Sequence, residues 1–252
     1  MSGHSKWSKI KRKKGANDQK KGKMFSRISK EITIAVREGG GTDPAFNARL
    51  RLAVNNGKGV NMPKDVIARA IKKGSEVGGA GYEALTYEGM APGGIALYIE
   101  CLTDNINRTV ANVRALFNKN GGNMGTTGSV AFMFDRKGIF EFPQGEWDVD
   151  ELTMEIIDAG AEEVETDDEK LVSVTTDYTD FGNMMKKLEE LKIETSSATL
   201  QMIPQQPMSV DLSTAKQALR LVELIEDDDD VQAVFHNMDL SDEIMEMLEA
   251  ED

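Results

Sequence analysis

Between residues 22 and 74, apolar side chains recur at steps of three and four, the spacing of helices with one buried face. Phe25, Ile28, Ile32 and Ala35 or Val36 form the first stripe, which Gly39-Gly40-Gly41 ends. In the second, Asp43 is the expected cap with Pro44 at the first helical position; Phe46, Leu50 and Ala53 or Val54 face inward and Gly57 is the stop. The third opens with Pro63, buries Val66, Ile67, Ala70 and Ile71, and stops at Gly74. None of the three can bury its stripe alone, so the pattern predicts a small helical bundle.

After Ser75 to Gly81, a linker with three glycines, the period changes. Glu83 to Glu88 and Ile95 to Leu102 read as strands joined by the tight turn Ala91-Pro92-Gly93-Gly94. Thr103 or Asp104 is the expected cap of a helix turning Ile106, Val110, Val113 and Phe117 inward, closed by Gly121-Gly122, and Val130 to Phe134 returns as a strand. A second unit opens with strand Ile139 to Phe142 and a helix that begins at the capping box Asp148-x-x-Glu151 and ends at Gly160. Strands Glu162 to Glu165 and Leu171 to Thr175 follow, then a helix with Phe181, Met184 or Met185, Leu188 and Leu191, then strand Glu194 to Ile203. This strand-helix-strand-strand-helix-strand order is that of ferredoxin-like domains.

Helix Leu212 to Ile225 and strand Val231 to Phe235 are too short for a domain of their own, but supply the elements that 82–134 lacks. The expected fold is α+β and multidomain, an N-terminal helical bundle followed by two ferredoxin-like α/β domains, the second inserted into the first. Its parts are a basic flexible arm at 1–21, a three-helix basic domain at 22–74, a linker at 75–81, a discontinuous α/β domain at 82–136 plus 207–240, and the inserted domain at 137–206. An acidic tail, 241–252, follows; Leu240, Ile244, Met247 and Leu248 mark a short amphipathic helix there.

The 252 residues are 40% hydrophobic, ordinary globular usage, and their net charge of −13 looks unsuited to nucleic acid. Its distribution reverses that impression. Residues 1–73 hold nineteen Lys and Arg against five acids, a net +14, whereas residues 74–252 hold eleven bases against 38 acids, a net −27. An asymmetry of this size implies parts with different partners.

Each Lys or Arg docked on a phosphate releases condensed counterions, so the basic segment predicts salt-sensitive affinity for nucleic acid. The candidate contacts along the arm and first helix are Lys6, Trp7, Lys9, Lys11, Arg12, Lys13, Lys14, Lys20, Lys21 and Lys23. Arg49 and Arg51 flank the Leu50 stripe; Lys64, Arg69, Lys72 and Lys73 lie on the third helix, the last three on one face opposite Val66 and Ile67. Trp7, between Lys6 and Lys9, suits stacking on an unpaired base. The competing reading is a solvated bundle whose bases pair with the chain's own acidic part. Backbone contacts of this kind do not distinguish DNA from RNA.

Catalysis and cofactors find little support. His4 and His236 are the only histidines, one in the arm and one at a strand end, and Cys101 lies inside an apolar run, so it is expected to be packed and to form neither a disulfide nor a thiol metal site. Gly121 to Gly125 follows a helix and lacks the Lys-Ser/Thr of a phosphate loop. Asp227 to Asp230 has four adjacent acids that cannot all face one cation, and is expected to be a solvated acidic loop. No window approaches a membrane span, and the basic N-terminal stretch lacks the apolar core of a secretory signal.

Several linked motifs resemble the YebC family: Ser2-Gly3-His4-Ser5-Lys6-Trp7, Lys23-Met24-Phe25, Arg49-Leu50-Arg51-Leu52-Ala53-Val54, Asn61-Met62-Pro63-Lys64-Asp65, Tyr87-Glu88-Gly89, Glu100 to Asn105, Asn107-Arg108-Thr109-Val110 and Gly128-Ser129-Val130. The resemblance implies three domains, a helical one and two mixed α/β ones. It also implies a regulator of gene expression without catalytic residues. Family members are described as probable transcriptional regulators, and a mitochondrial branch activates translation of a cytochrome oxidase subunit. The expected function is thus a non-enzymatic, cytoplasmic nucleic-acid-binding regulator without cofactor or metal, acting on promoter DNA. The alternative is a ribosome-associated translation factor on ribosomal or transfer RNA that relieves elongation stalls; a protein-interaction module working through the acidic domains is a third class.

Overall fold

The computed structural model describes residues 18–76 and 81–250, and these fall into two compact units. One takes residues 18–27, 81–135 and 202–250; the other takes 28–76 and 136–201. The fold is mixed α+β with two four-stranded antiparallel sheets and a two-stranded parallel pair.

In the first unit, β1 (Glu83–Ala91) pairs antiparallel with β2 (Ile95–Thr103) through the turn Pro92–Gly94, where Gly93 has φ 82° and Gly94 φ 77°. The sheet order is β3 (Asn123–Met124), β1, β2, β9 (Val231–His236). Alternation along β2 sends Ile95, Leu97, Ile99 and Cys101 into one core and Ala96 into another. The first core is completed by Val113 and Phe117 of α4 (Ile106–Lys119) and by Ala215, Leu219, Val222 and Ile225 of α7 (Leu212–Glu226). Helix α4 buries Thr109, Val113 and Phe117 and leaves its first residue, Ile106, exposed; Asn105, not Thr103 or Asp104, is its cap, accepting from the Arg108 N–H.

Residues Val130 to Phe134 do not form the expected strand. Ala131–Met133 is a 3-10 turn, β3 takes the place beside β1, and Phe134 opens β4 (Phe134–Pro143). The cause is Glu88, whose buried carboxylate accepts from the N–H groups of Gly128 (2.6 Å), Val130 (2.6 Å) and Ala131 (2.9 Å). Donors satisfied by a side chain are not available to a ladder.

Burial, the largest single effect, would raise the Glu88 carboxyl; the N–H groups of Val130, Gly128 and Ala131 together outweigh it and hold it below the ordinary 4.5. The same clamp accounts for two of the linked motifs, Tyr87-Glu88-Gly89 and Gly128-Ser129-Val130. Gly89 is required there, since a Cβ would lie 2.7 Å from the Asn123 carbonyl and the Phe117 ring.

The acidic run at 227–230 is only partly solvated. Asp230 is buried and accepts from Arg108 Nε (3.1 Å) and Nη2 (2.6 Å) and from the Thr109 hydroxyl (2.9 Å). Arg108 also reaches Asp104 at 2.9 Å, and the hydrogen bonds to Asp230 and then Asp104 raise its pKa further. The motif Asn107-Arg108-Thr109 therefore ties α4 to the loop before β9. The parallel pair, β8 (Met208–Ser209) with β10 (Met238–Asp239), and helix α8 (Asp242–Ala250) also belong to this unit.

In the second unit the sheet order is β5 (Ala161–Thr166), β6 (Leu171–Asp177), β4, β7 (Ser197–Pro204). Phe140, Phe142, Val172 and Val174 form a core with Leu152 and Ile156 of α5 (Val149–Ile156) and Met184 and Leu188 of α6 (Phe181–Glu190). Asp148 caps α5, accepting from the N–H groups of Asp150 and Glu151, and Gly160 at φ 93° ends the turn after it.

Three helices complete the second unit: the main part of α1 (Asp18–Glu38), α2 (Ala48–Gly59) and α3 (Lys64–Ser75). Ile28, Ile32, Ala35, Leu50, Ala53, Val54, Ile67 and Ala70 are buried, while Val66 and Ile71 are only half-buried. Asn56 covers the edge of β7 by pairing its side-chain amide with both the N–H and the C=O of Ala198, each at 3.0 Å. The Asn61-Met62-Pro63 motif is the joint between α2 and α3. Asn61 takes the left-handed conformation (φ 58°), and its N–H and that of Met62 bond to the carbonyls of Lys58 and Gly57. Gly57 thus lies inside α2 and does not stop it.

The expected start of α2 is displaced. Asp43-Pro44-Ala45-Phe46 is a β-turn, with the Phe46 N–H on the Asp43 carbonyl (3.1 Å) and the Ala45 N–H on the Asp43 carboxylate (2.9 Å). Asp and Pro at the first two positions are the signature of such a turn as well as of a helix start. The cap is Asn47, which accepts from the Leu50 N–H (3.0 Å) and donates to the carbonyls of Ala35 (2.7 Å) and Gly41 (3.0 Å). Phe46, expected in the apolar stripe, is consequently 85% exposed.

Candidate nucleic-acid interface

The sequence-derived contacts separate into three groups. Lys6, Trp7, Lys9, Lys11, Arg12, Lys13 and Lys14 lie outside the described residues. Lys20, Lys21 and Lys23 lie on the first turns of α1, in the first unit. Arg49 and Arg51 on α2 and Lys64, Arg69, Lys72 and Lys73 on α3 lie in the second unit.

On α1, Lys21 is exposed, but Lys23 is engaged. Its ammonium meets the Asp227 carboxylate at 2.6 Å and the Asp227 carbonyl at 3.2 Å, and Arg27 donates to the Glu226 carbonyl one turn on. Both cations sit at the C-terminal end of α7, where the helix dipole favours positive charge. Arg27 stands four residues after Lys23, and that helical spacing is its one signal in the sequence, because its partner is 199 residues away.

On α2, Arg49 pairs with Glu38, while Arg51 donates to the carbonyls of Pro44 (3.3 Å) and Ala45 (3.4 Å) and so braces the turn below Phe46. On α3, Lys64, Arg69, Lys72 and Lys73 are all exposed; Arg69 and Lys72 lie opposite the buried Ile67, Ala70 and Gly74, with Lys73 on one flank and Lys64 on the other. Arg69 makes an i,i+4 pair with Asp65 at 2.9 Å, both ends well exposed, a contact of little energetic weight that leaves its charge available to a phosphate. Exposed cations of this kind suit phosphate contacts, which position a nucleic acid without reading its sequence.

Elsewhere, His236 and Cys101 are buried within the first unit. Among the described residues no group of three His, Cys, Asp or Glu is placed to hold a metal ion, and no helix is long and apolar enough to cross a membrane.

A model of the TACO1/YebC protein N-terminal domain matches residues 5–77, and one of the TACO1/YebC second and third domain matches residues 82–238. A "probable transcriptional regulatory protein" of Chlorobaculum parvum is 50% identical over 252 residues, all of both chains. Another so named, of Halothermothrix orenii, is 50% identical over 255 residues and again all of both chains. The crystal structure of a conserved hypothetical protein from Aquifex aeolicus aligns with a TM-score of 0.79 and 39% identity, covering 90% of this chain and 94% of that one.

Proposed function

The chain belongs to the TACO1/YebC family, and from that premise we propose that it is a non-enzymatic, cytoplasmic regulator of gene expression that binds DNA through its basic N-terminal arm and helical domain. The observation that carries the reading is the exposed cationic face of α3, Arg69, Lys72 and Lys73, within a segment of net +14. A net charge of that size on 73 residues exceeds what solubility requires, and phosphate neutralisation is its natural use. The names of the relatives agree with a role in transcription. We propose likewise that the α/β part is two ferredoxin-like domains, 137–206 inserted between 82–136 and 207–240.

The second reading, a ribosome-associated factor on ribosomal or transfer RNA, is favoured by the Lys-rich arm with its single aromatic, Trp7, a composition that suits irregular RNA better than a duplex groove. Crosslinking in cells followed by sequencing of the attached nucleic acid separates them: promoter DNA supports the first, ribosomal RNA the second. In vitro, replacing Arg69, Lys72 and Lys73 together by Gln should weaken binding to random duplex DNA and flatten the plot of log affinity against log salt by about 3 units. Unchanged affinity and slope at low salt would end the basic-surface account.

A further inference from the structure

We infer that Phe46 is a stacking platform for an unpaired nucleobase. The inference rests on the nucleic-acid-binding reading above and adds to it a site and a ligand class. Phe46, at 85% exposure, is the most exposed of the large hydrophobic side chains among the described residues. Its exposure is imposed by the surrounding structure. The backbone before it is a closed turn, Asp43 to Phe46, fastened again by the Asp43 carboxylate on the Ala45 N–H. The residue after it, Asn47, is buried and fixed by three hydrogen bonds, to Leu50, Ala35 and Gly41. Gly39 makes room for that amide, since a Cβ there would stand 2.5 Å from Asn47 Oδ1. From below, Arg51 holds the carbonyls of Pro44 and Ala45. Turning the ring into the core would break this set, so the fold holds an apolar ring in water.

The surroundings select the occupant. The chain neighbours Asp43, Ala45, Ala48 and Arg49 are exposed and none is a large apolar residue, so the chain on either side of the ring adds no large apolar side chain to it. A protein partner gains from contiguous apolar area; a nucleobase needs only one aromatic face. The helical part of this unit, residues 28–76, carries nine bases and five acids, with Arg49 and Arg51 on the same helix start. An exposed aromatic ring in a chain segment of net positive charge matches a base splayed from its strand, with the strand's phosphates drawn to that charge. Bases inside a duplex are already stacked and offer no free face, so the site discriminates for single-stranded or looped nucleic acid and tolerates any base.

The test uses the full chain with two probes of equal length, a single-stranded RNA carrying one 2-aminopurine and a duplex DNA. Phe46→Ala should weaken binding to the single strand about 5- to 100-fold, abolish the stacking-induced quenching of 2-aminopurine, and leave duplex affinity and salt slope unchanged. Phe46→Trp should restore both single-strand signals. Unchanged single-strand affinity in Phe46→Ala, with the wild-type salt dependence intact, would overturn the inference while the nucleic-acid reading stands, and would leave a protein surface as the occupant. Equal loss on both probes would also overturn it. Failure of the wild-type chain to bind either probe at low salt would overturn the reading itself.

Discussion

Glu88→Gln preserves the shape of the side chain that anchors the 128–131 turn and removes its charge. In the native chain one carboxylate, only 3% exposed, serves three backbone N–H groups at 2.6, 2.6 and 2.9 Å. An amide oxygen can accept from two of them; the amide NH2 then faces the third, donor against donor. An orphaned buried donor costs about 1–3 kcal/mol, and each surviving bond drops by about 1 kcal/mol on passing from charge-assisted to neutral. The Gly128 N–H is only part-buried and can relax toward water, so the expected loss is about 3 kcal/mol. At about 2–4 °C per kcal/mol, the thermal midpoint should fall by about 6–12 °C at pH 7.

The pH dependence follows from the sign of the shift. The folded carboxyl titrates below its ordinary 4.5, so the stabilisation is complete above that value and is lost as pH falls through the depressed folded value. The gap between wild type and variant should therefore narrow below pH 4.5. Differential scanning calorimetry across that range, with hydrogen exchange at the Val130 and Ala131 amides, reads both effects. A midpoint within about 2 °C of wild type at neutral pH, or a gap of constant size at acid pH, would refute the reasoning.

Two further substitutions test the helical part of the second unit. Asn47→Ala removes the cap of α2 and strips two carbonyls of their donor; a loss of about 2–3 kcal/mol is expected in urea unfolding followed by helical circular dichroism. Gly59→Ala places a Cβ on the Ser196 carbonyl, a backbone atom that cannot swing aside, and should cost ~3 kcal/mol or more. Gly22→Ala is the control, because a Cβ there meets nothing within 4 Å and the position is helical, so stability should be unchanged or rise by up to about 1 kcal/mol in the same urea series.

Element types were legible wherever a stripe or an alternation had no rival explanation. The Ile28-Ile32-Ala35 stripe, the buried run Ile95 to Leu102 and the Asp148 cap fold as their local patterns predict, because period and capping are properties of neighbouring residues. Reading failed where one short pattern has two local solutions. Asp43-Pro44 suits both a helix start and a β-turn, and what decided for the turn is the buried amide of Asn47, whose Ala35 and Gly41 partners belong to the preceding helix and its loop. Val130 to Phe134 is apolar enough for a strand, and was diverted by a carboxylate some forty residues earlier. In both cases the deciding group is polar and buried, and hydrophobic patterns carry no record of where a polar side chain will find its partner.

The candidate interface divides along the same line. The split of net charge between residues 1–73 and the rest is a matter of counting, and the α3 face follows from spacing. The engagement of Lys23 by Asp227, the burial of Asp230 by Arg108 and Thr109 within a run of four acids, and the outward ring of Phe46 were not in any local pattern. The sequence alone determined the sign and amount of charge and the faces of the helices, which are sums and periodicities along the chain. Only the tertiary structure decided which charges are spent inside the protein and which ring stays in water, because those depend on partners up to two hundred residues apart, brought within hydrogen-bond reach by packing.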